Sequence, residues 1–369
     1  MKLLLCALAA LAIPPAAHAG TPQAAAPRTV EVLDGPVAAA IDAQLTAAAE
    51  QRGFGGAVVV EMEGRTVLKA GYGYADREAK TPFTADTTAQ IGSITKTFTA
   101  LAASQLAAEG KLDLHVPVRA WLPGAAEPAA AATLNQLMTH TAGLDDYCGD
   151  DFEPRTRAEL LTRCMALPLK QPPGRSLYSN LGLSITAATV EQASGQDWVS
   201  YLRTHVWAPF GMTRTGWTFP GAPRAGFAIG YLNDKAQPLI SDQIAALHGA
   251  DWNLKGNGGL QASAADMQRF YHGLMAQPEA VRALVLSPHA PGETPDVREG
   301  YGLFFRVDDQ GRTLRAGHGG SDGTFFSYLA LFPGRDAFFY FAGNNGETPA
   351  RDELKGVLKT VQDALPPVR

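Results

Sequence analysis

The sequence carries little charge of either sign. Of its 369 residues 18% are charged, and 31 Lys and Arg residues stand against 36 Asp and Glu, which gives a formal net charge of -5. No stretch concentrates basic residues, so neither a nucleic-acid partner nor a polybasic membrane patch has support. Hydrophobic residues make up 46% of the chain, which is enough for a large globular core.

Long hydrophobic runs are also missing, except at the N-terminus. The run from Leu3 to Ile13 is too short to span a bilayer; Lys2 precedes it, and an A-x-A cleavage pattern ends at Ala19. These three parts in this order predict a signal peptide over residues 1–19, rather than a buried N-terminal helix. We therefore expect a periplasmic or secreted protein with no membrane span in the mature chain.

Cysteine is scarce, with three residues in the whole chain. Cys6 lies in the predicted signal peptide, which leaves Cys148 and Cys164. In an oxidising compartment two cysteines favour a disulfide, and two buried free thiols are the alternative. Neither cysteine has a histidine beside it, so no metal site is predicted.

Strand-like segments lie at the two ends of the chain and helical segments lie between them. After a flexible leader over residues 20–34, we predict one domain over 35–369. Its sheet would come from about 35–110 and 251–369, and its helical region from about 111–250. This order favours an α+β fold, in which one antiparallel sheet is flanked by helices and carries an inserted helical subdomain.

Local periodicity supports this division. Residues 37–51 show helical spacing, and two β-rich runs, 57–62 and 66–74, are joined at Glu63-Gly64 as in a hairpin. A final helix is predicted over 349–364. Four aromatic or β-branched runs in the C-terminal third predict further strands: YGLFFRV, RTLRAGH, TFFSYLALFP and AFFYFAG.

Ser93 and Lys96 stand three residues apart where an apolar helical pattern begins. On a helix they would share a face, so that the amine could approach the hydroxyl. A serine is a poor nucleophile until a base takes its proton, and a desolvated lysine can do so. The alternative is an N-cap serine followed by a solvated lysine, because S-x-x-K is common by chance.

Two further clusters could complete such a site. Tyr178 and Asn180 lie between a Pro-Pro-Gly turn and an apolar helix, where a phenolate could act as general base and an amide could orient a carbonyl. His318-Gly319-Gly320 connects two strand runs, and its glycines would let a substrate backbone approach a strand edge. Taken singly, the first fits an N-cap turn and the second a glycine-rich hairpin.

The three clusters together resemble the active-site signature of the serine β-lactamase and penicillin-binding-protein superfamily. That signature is S-x-x-K, then Y-x-N, then a K-T-G or H-x-G strand, and this chain looks like the class C-like branch. The branch also includes carboxypeptidases, D-aminopeptidases and certain esterases. The resemblance extends over about residues 37–364, including the connecting segments GKLDLHVPVRAWLP, LMTHTAGL and GGLQASAADMQRF.

The resemblance implies a role for each residue of the site. Ser93 would be the nucleophile, Lys96 its activating partner and Tyr178 the general base. Substrate would be bound by Asn180, His318, Gly319 and Gly320. The oxyanion hole would consist of the backbone N–H groups of Ser93 and Ser321. No metal and no organic cofactor is implied.

The departure from the family pattern is His318, which stands where the lactamases carry lysine. Histidine is mostly neutral at pH 7, whereas lysine holds a carboxylate as a permanent cation. We therefore expect weak β-lactam turnover, and tighter binding of any carboxylated substrate as the pH falls and His318 gains charge.

A second serine motif competes with the first. Residues 319–323 spell G-x-S-x-G, the nucleophile elbow of α/β-hydrolases, whose triad runs Ser, acid, His along the chain. No histidine follows Ser321, so we interpret this motif as accidental.

The sequence thus predicts an exported serine hydrolase that forms an acyl-enzyme on Ser93. Its substrates would be amides or esters, such as D-Ala-type peptides, small esters or β-lactams. The alternatives are a catalytically silent protein that binds peptidoglycan peptides on the same scaffold, and an efficient class C β-lactamase.

Overall fold

The computed structural model describes residues 25–368, so the predicted signal peptide lies outside the described residues. Nine strands form one antiparallel sheet in the order β1-β3-β2-β9-β8-β7-β6-β5-β4. The strands are β1 Arg28–Leu33, β2 Gly56–Met62, β3 Arg65–Tyr72, β4 Pro288–Pro291, β5 Val297–Gly300, β6 Phe304–Val307, β7 Thr313–Ser321, β8 Phe326–Phe332 and β9 Ala337–Gly343.

The two ends of the chain meet in the middle of this sheet. Strand β2 pairs with β9, and Val59 lies opposite Tyr340 in that register. The predicted α+β fold, with its antiparallel sheet flanked by helices, is therefore confirmed. The predicted hairpin is present as well, because Glu63 (φ 52°) and Gly64 (φ 68°) form the left-handed two-residue turn that suits the twist of β2 and β3.

The segment predicted to be a flexible leader, residues 20–34, extends too far along the chain. Residues 28–33, assigned to a flexible leader, form β1 and pair antiparallel with β3. Thr29 Oγ1 also donates to the carbonyl of Phe83 at 2.7 Å. The segment RTVEVL is rich in β-branched residues and only Thr29 and Val32 are half-buried, which fits an exposed edge strand.

The helices lie on both faces of the sheet and in the region between the two strand groups. Those described are α1 Gly35–Arg52, α2 Thr95–Ala108, α3 Leu134–Met138, α4 Arg157–Glu159, α5 Asn180–Ser194, α6 Trp198–Leu202, α7 Ile240–Ala246, α8 Ala264–Met275, α9 Glu279–Val285 and α10 Glu347–Ala364. Two of them, α4 and α6, continue directly into π-helical turns.

Each face of the sheet has its own hydrophobic core. On one face α1 and α10 bury side chains such as Leu45 and Val357 completely. On the other face the core includes α2, α5 and α8 and continues into the inserted region, with Phe98 and Phe270 in contact at 4.4 Å between ring centroids. No helix between residues 25 and 368 combines the length and hydropathy needed to cross a membrane.

Candidate active site

Ser93 lies in a single 3₁₀ turn that leads into α2. The turn docks against β7 because two glycines leave room for it. A side chain at Gly92, whose φ is 51°, would come within 2.5 Å of the Ser321 nitrogen, and one at Gly320 within 1.9 Å of the Ile91 oxygen. Gly320 was expected to make room for substrate, but its open side is filled by the turn that carries Ser93.

Lys96 lies one helical turn after Ser93 and is completely buried. Its ammonium nitrogen has three hydrogen-bond acceptors. They are Ser93 Oγ at 2.9 Å, Asn180 Oδ1 at 2.5 Å and the Asn257 carbonyl at 2.8 Å. A protonated lysine has three donors, so this site satisfies all of them while aiming one at the serine.

The amine is poised to lose a proton near neutral pH. Burial lowers the pKa of Lys96 to about 7, and the carboxylates of Asp146 and Asp151 oppose that shift. A large share of the amine is then neutral at pH 7 and can accept the Ser93 proton.

Asn180 and Asp146 hold the lysine in place. The Asn180 side-chain amide donates to Asp146 Oδ1 at 2.9 Å, and so does its backbone N–H, also at 2.9 Å. The amide oxygen is thereby turned toward Lys96. Asn180 was expected to contact substrate, yet in this structure both ends of its amide are bound within the protein. No sequence pattern pointed to Asp146, which lies 34 residues before Asn180.

Tyr178 packs over the same lysine, with the Lys96 nitrogen 4.9 Å from the ring centroid. Burial raises the pKa of its phenol far above the ordinary value, although a hydrogen bond with Ser93 opposes this. The site therefore favours the protonated phenol. A phenolate base, as the sequence predicted, is not favoured in the resting site.

His140 supports Tyr178 and was not singled out from the sequence. It adopts a left-handed backbone conformation (φ 55°), and its ring lies 4.5 Å from the Tyr178 ring. Its carbonyl accepts the Leu177 N–H at 2.8 Å and its Nδ1 accepts the Ser179 N–H at 3.2 Å. These two bonds bracket Tyr178 along the chain. Burial and the charge of Lys96 hold the pKa of His140 well below its usual value.

His318 lies on β7, at the end of the pairing between β6 and β7, whose register stops at Gly317. Its ring is 6.3 Å from that of Tyr178 and is 4% exposed. Burial and the charge of Lys96 lower the pKa of His318 to about 3. The expectation that it gains charge as the pH falls through the ordinary range was therefore wrong.

The hydroxyl of Ser321, the second candidate nucleophile, is already engaged in hydrogen bonds. Ser321 Oγ donates to Glu347 Oε2 at 2.7 Å and accepts the Gly323 N–H at 3.1 Å. Asp322 beside it accepts the N–H groups of Thr324 and Phe325. These contacts fit a structural turn, and the Ser321 backbone nitrogen lies beside the turn that holds Ser93.

The two cysteines of the described chain lie next to this site. Cys148 and Cys164 are joined, with their sulfurs 2.01 Å apart. The bridge ties the segment that carries Asp146 to the π-helical turn after α4. Within residues 25–368 no group of His, Cys, Asp and Glu side chains is arranged to hold a metal ion.

The chain belongs to the beta-lactamase family, whose family model matches residues 37–362. The predicted membership of the serine β-lactamase and penicillin-binding-protein superfamily is thereby confirmed. The family and its relatives indicate a serine hydrolase in general.

Among known proteins, the chain is similar to esterase EstB of Burkholderia gladioli, at 30% identity over 66% of this chain and 71% of the esterase. The crystal structure of a penicillin-binding protein from Bacillus halodurans matches with a TM-score of 0.71 and 27% identity, over 85% of this chain and 99% of that one. The fold also matches an octameric penicillin-binding protein homologue from Pyrococcus abyssi, with a TM-score of 0.73 and 24% identity, over 88% and 77% of the two chains.

Proposed function

We propose that this protein is an exported serine hydrolase that cleaves small esters or peptides through an acyl-enzyme on Ser93. The observation that carries the proposal is the 2.9 Å contact between Ser93 Oγ and the fully buried Lys96 amine. A buried amine with a pKa of about 7 is suited to deprotonate a serine.

The reaction then has a proton path made of the chain's own groups. The neutral Lys96 amine takes the proton as Ser93 Oγ bonds to the carbonyl carbon. The protonated phenol of Tyr178 gives a proton to the departing alcohol or amine and takes one back from the Lys96 ammonium, which restores both groups. Water then attacks the ester on Ser93 and gives a proton to Lys96, which returns it to Ser93 Oγ as the acid leaves. Backbone N–H groups of Ser93 and Ser321 would hold the oxyanion, each worth about 3 kcal/mol of transition-state stabilisation.

Esters and peptides are favoured over β-lactams because His318 is not a cation. A neutral imidazole cannot clamp the carboxylate of a β-lactam as lysine does. The similarity to an esterase and to penicillin-binding proteins is consistent with this choice.

The test combines turnover with covalent labelling. We expect a burst of p-nitrophenol from p-nitrophenyl acetate, and measurable turnover of short esters or peptide amides. D-Ala-D-Ala peptides, which end in a carboxylate, should be turned over more slowly. A chromogenic cephalosporin should be turned over weakly; hydrolysis near the diffusional ceiling of about 10⁸ M⁻¹s⁻¹ would contradict the proposal. A folded protein with neither a burst nor steady turnover would indicate the silent binding protein instead.

Matched serine variants identify the nucleophile. Ser93→Ala should abolish both turnover and labelling by a fluorophosphonate, measured as intact mass and by peptide mapping. Ser321→Ala should keep the label, because its hydroxyl serves Glu347 and its N–H remains. A label on the Ser321 peptide that survives in Ser93→Ala would overturn the mechanism.

A further inference from the structure

A cavity of about 380 Å³ adjoins the candidate active site. Tyr178, His140 and His318 line it on the side of the catalytic residues, and Phe304 and Glu299 line it from β6 and β5. The proposed chemistry involves this cavity only through the residues that line both it and the active site, such as Tyr178.

Glu299 is a buried acid, and one of its two carboxylate oxygens lacks a hydrogen-bond donor within residues 25–368. The residue is 2% exposed, and Ser176 donates to its Oε1 at 2.6 Å. Its Oε2 is buried without a hydrogen-bond partner among the described residues. Burial and, to a smaller extent, the charge of Glu293 raise the pKa of Glu299 to about 7 against the effect of the Ser176 hydrogen bond. Above that pH the cavity holds a carboxylate that lacks a donor, which is costly when buried.

His318 contributes a second unsatisfied acceptor to the same cavity. Its Nδ1 lies 2.5 Å from the Gly319 carbonyl, and because a carbonyl can only accept, Nδ1 must carry the hydrogen. In the neutral ring Nε2 is then an acceptor, and this atom is buried without a partner in the part of the chain that is described. A ligand group rich in donors and free of acceptors would satisfy both residues.

The surrounding charges and rings favour a cation as that group. Aromatic faces attract cations, and the rings of Tyr178 and Phe304 both line the cavity. Two arginines also line the cavity, but the three carboxylates of Glu293, Asp296 and Glu299 outnumber them. Arg306 is exposed and paired with Asp296, and Arg315 lies over the Tyr328 ring at 5.5 Å.

We propose that this cavity is a subsite for a primary ammonium group of the substrate, with Glu299 as the specificity-determining residue and His318 Nε2 as the second acceptor. Substrates would then be amino-bearing esters or peptides rather than carboxylates. This consequence for substrates rests on the proposed function, whereas the binding of an amine does not.

Calorimetric titration with three ligands of equal chain length tests the subsite. Hexylammonium, hexan-1-ol and hexanoate are compared at pH 8.5, where both the amine and Glu299 are charged. Hexylammonium should bind about tenfold more tightly than either of the others, as expected for a hydrogen bond to a buried charge. Glu299→Gln should remove most of that preference, because it keeps the shape and removes the charge.

The matched control is Glu293→Gln, an exposed carboxylate that lines the same cavity and should leave most of the preference intact. Equal affinities of wild type for the three ligands, or a preference for hexanoate, would overturn the proposal. If Glu299→Gln does not fold, the affinities of the wild-type protein for the three ligands still test the proposal. Ser93→Ala should bind hexylammonium as wild type does, so a failure of hydrolysis and a failure of this subsite are separable.

Discussion

At Lys96 burial and neighbouring charge act in opposite directions. Desolvation lowers the pKa of the amine, while Asp146 and Asp151 raise it. The value of about 7 is their balance, so the site should respond to the loss of one carboxylate. Asp146 also orients Asn180, which leaves Asp151 as the cleaner position to change.

The variant Asp151→Asn should shift the pH dependence of kcat/KM. Activity needs the neutral amine, so kcat/KM should rise with pH through about 7 in the wild type. Removing the Asp151 carboxylate destabilises the ammonium form, and the rising limb should move to lower pH.

The matched control for that experiment is Asp150→Asn, which removes an exposed carboxylate next in sequence and should shift the limb less. The measurement is a kcat/KM profile from pH 5 to 9 with an uncharged ester. A limb that stays in place in Asp151→Asn, or moves to higher pH, would show that Lys96 is not the titrating base.

The residues that sequence spacing identified do come together, since Ser93, Lys96, Tyr178, Asn180 and His318 lie in one site. The contacts that hold these side chains in place could not be predicted from the spacing of residues in the sequence. Asn257 binds Lys96 through its carbonyl from 161 residues away. A backbone acceptor has no side-chain signature, so only the fold reveals it.

Among the elements, β7 carries the closest backbone packing of the site. Gly320 faces the Ile91 carbonyl, whereas an added methyl at Gly319 would meet nothing nearer than 3.6 Å. The order of the two glycines therefore sets how closely the Ser93 turn approaches the strand.

The variant Gly320→Ala should reduce kcat by about a hundredfold, because a displacement on the order of 1 Å separates Ser93 from the Ser321 N–H. Gly319→Ala is the comparison and should lose much less. Rates are measured with p-nitrophenyl acetate, and folding is checked by the melting temperature. Equal losses in the two folded variants would contradict this account of the strand.

Elements with strong periodicity were predicted well and irregular ones were not. The β2–β3 hairpin was found from its two β-rich runs and the Glu63-Gly64 turn between them. The edge strand β4 and its neighbour β5 were missed, because β4 begins and ends with proline and both are four residues long. Short edge strands are held by their neighbours more than by their own propensity.

At the scale of the whole molecule, the sheet separates two cores. The catalytic side chains lie on the face that carries α2, while α1 and α10 cover the other face. Stability and chemistry should therefore be separable by mutation.

The variant Leu45→Ala should lower the free energy of unfolding by about 2–5 kcal/mol, because the side chain of Leu45, on α1, is fully buried. Below its melting transition kcat/KM should stay close to wild type. Leu33→Ala, at a side chain that is 43% exposed, is the control and should change stability by about 0.5 kcal/mol or less. Denaturant unfolding and ester turnover measure the two quantities. A large loss of kcat/KM in folded Leu45→Ala would show that the two cores are not independent.

The hydrogen bond from Ser321 to Glu347 has a consequence for the timing of synthesis. Glu347 is the first residue of α10, so the end of β7 that flanks Ser93 is fastened by a helix that leaves the ribosome long after the serine does. A nascent chain carries Ser93 for some 250 residues of elongation before Glu347, which fastens the neighbouring strand, has been made. The site can therefore be completed only when nearly the whole chain has been made, and hydrolysis would begin only after that point.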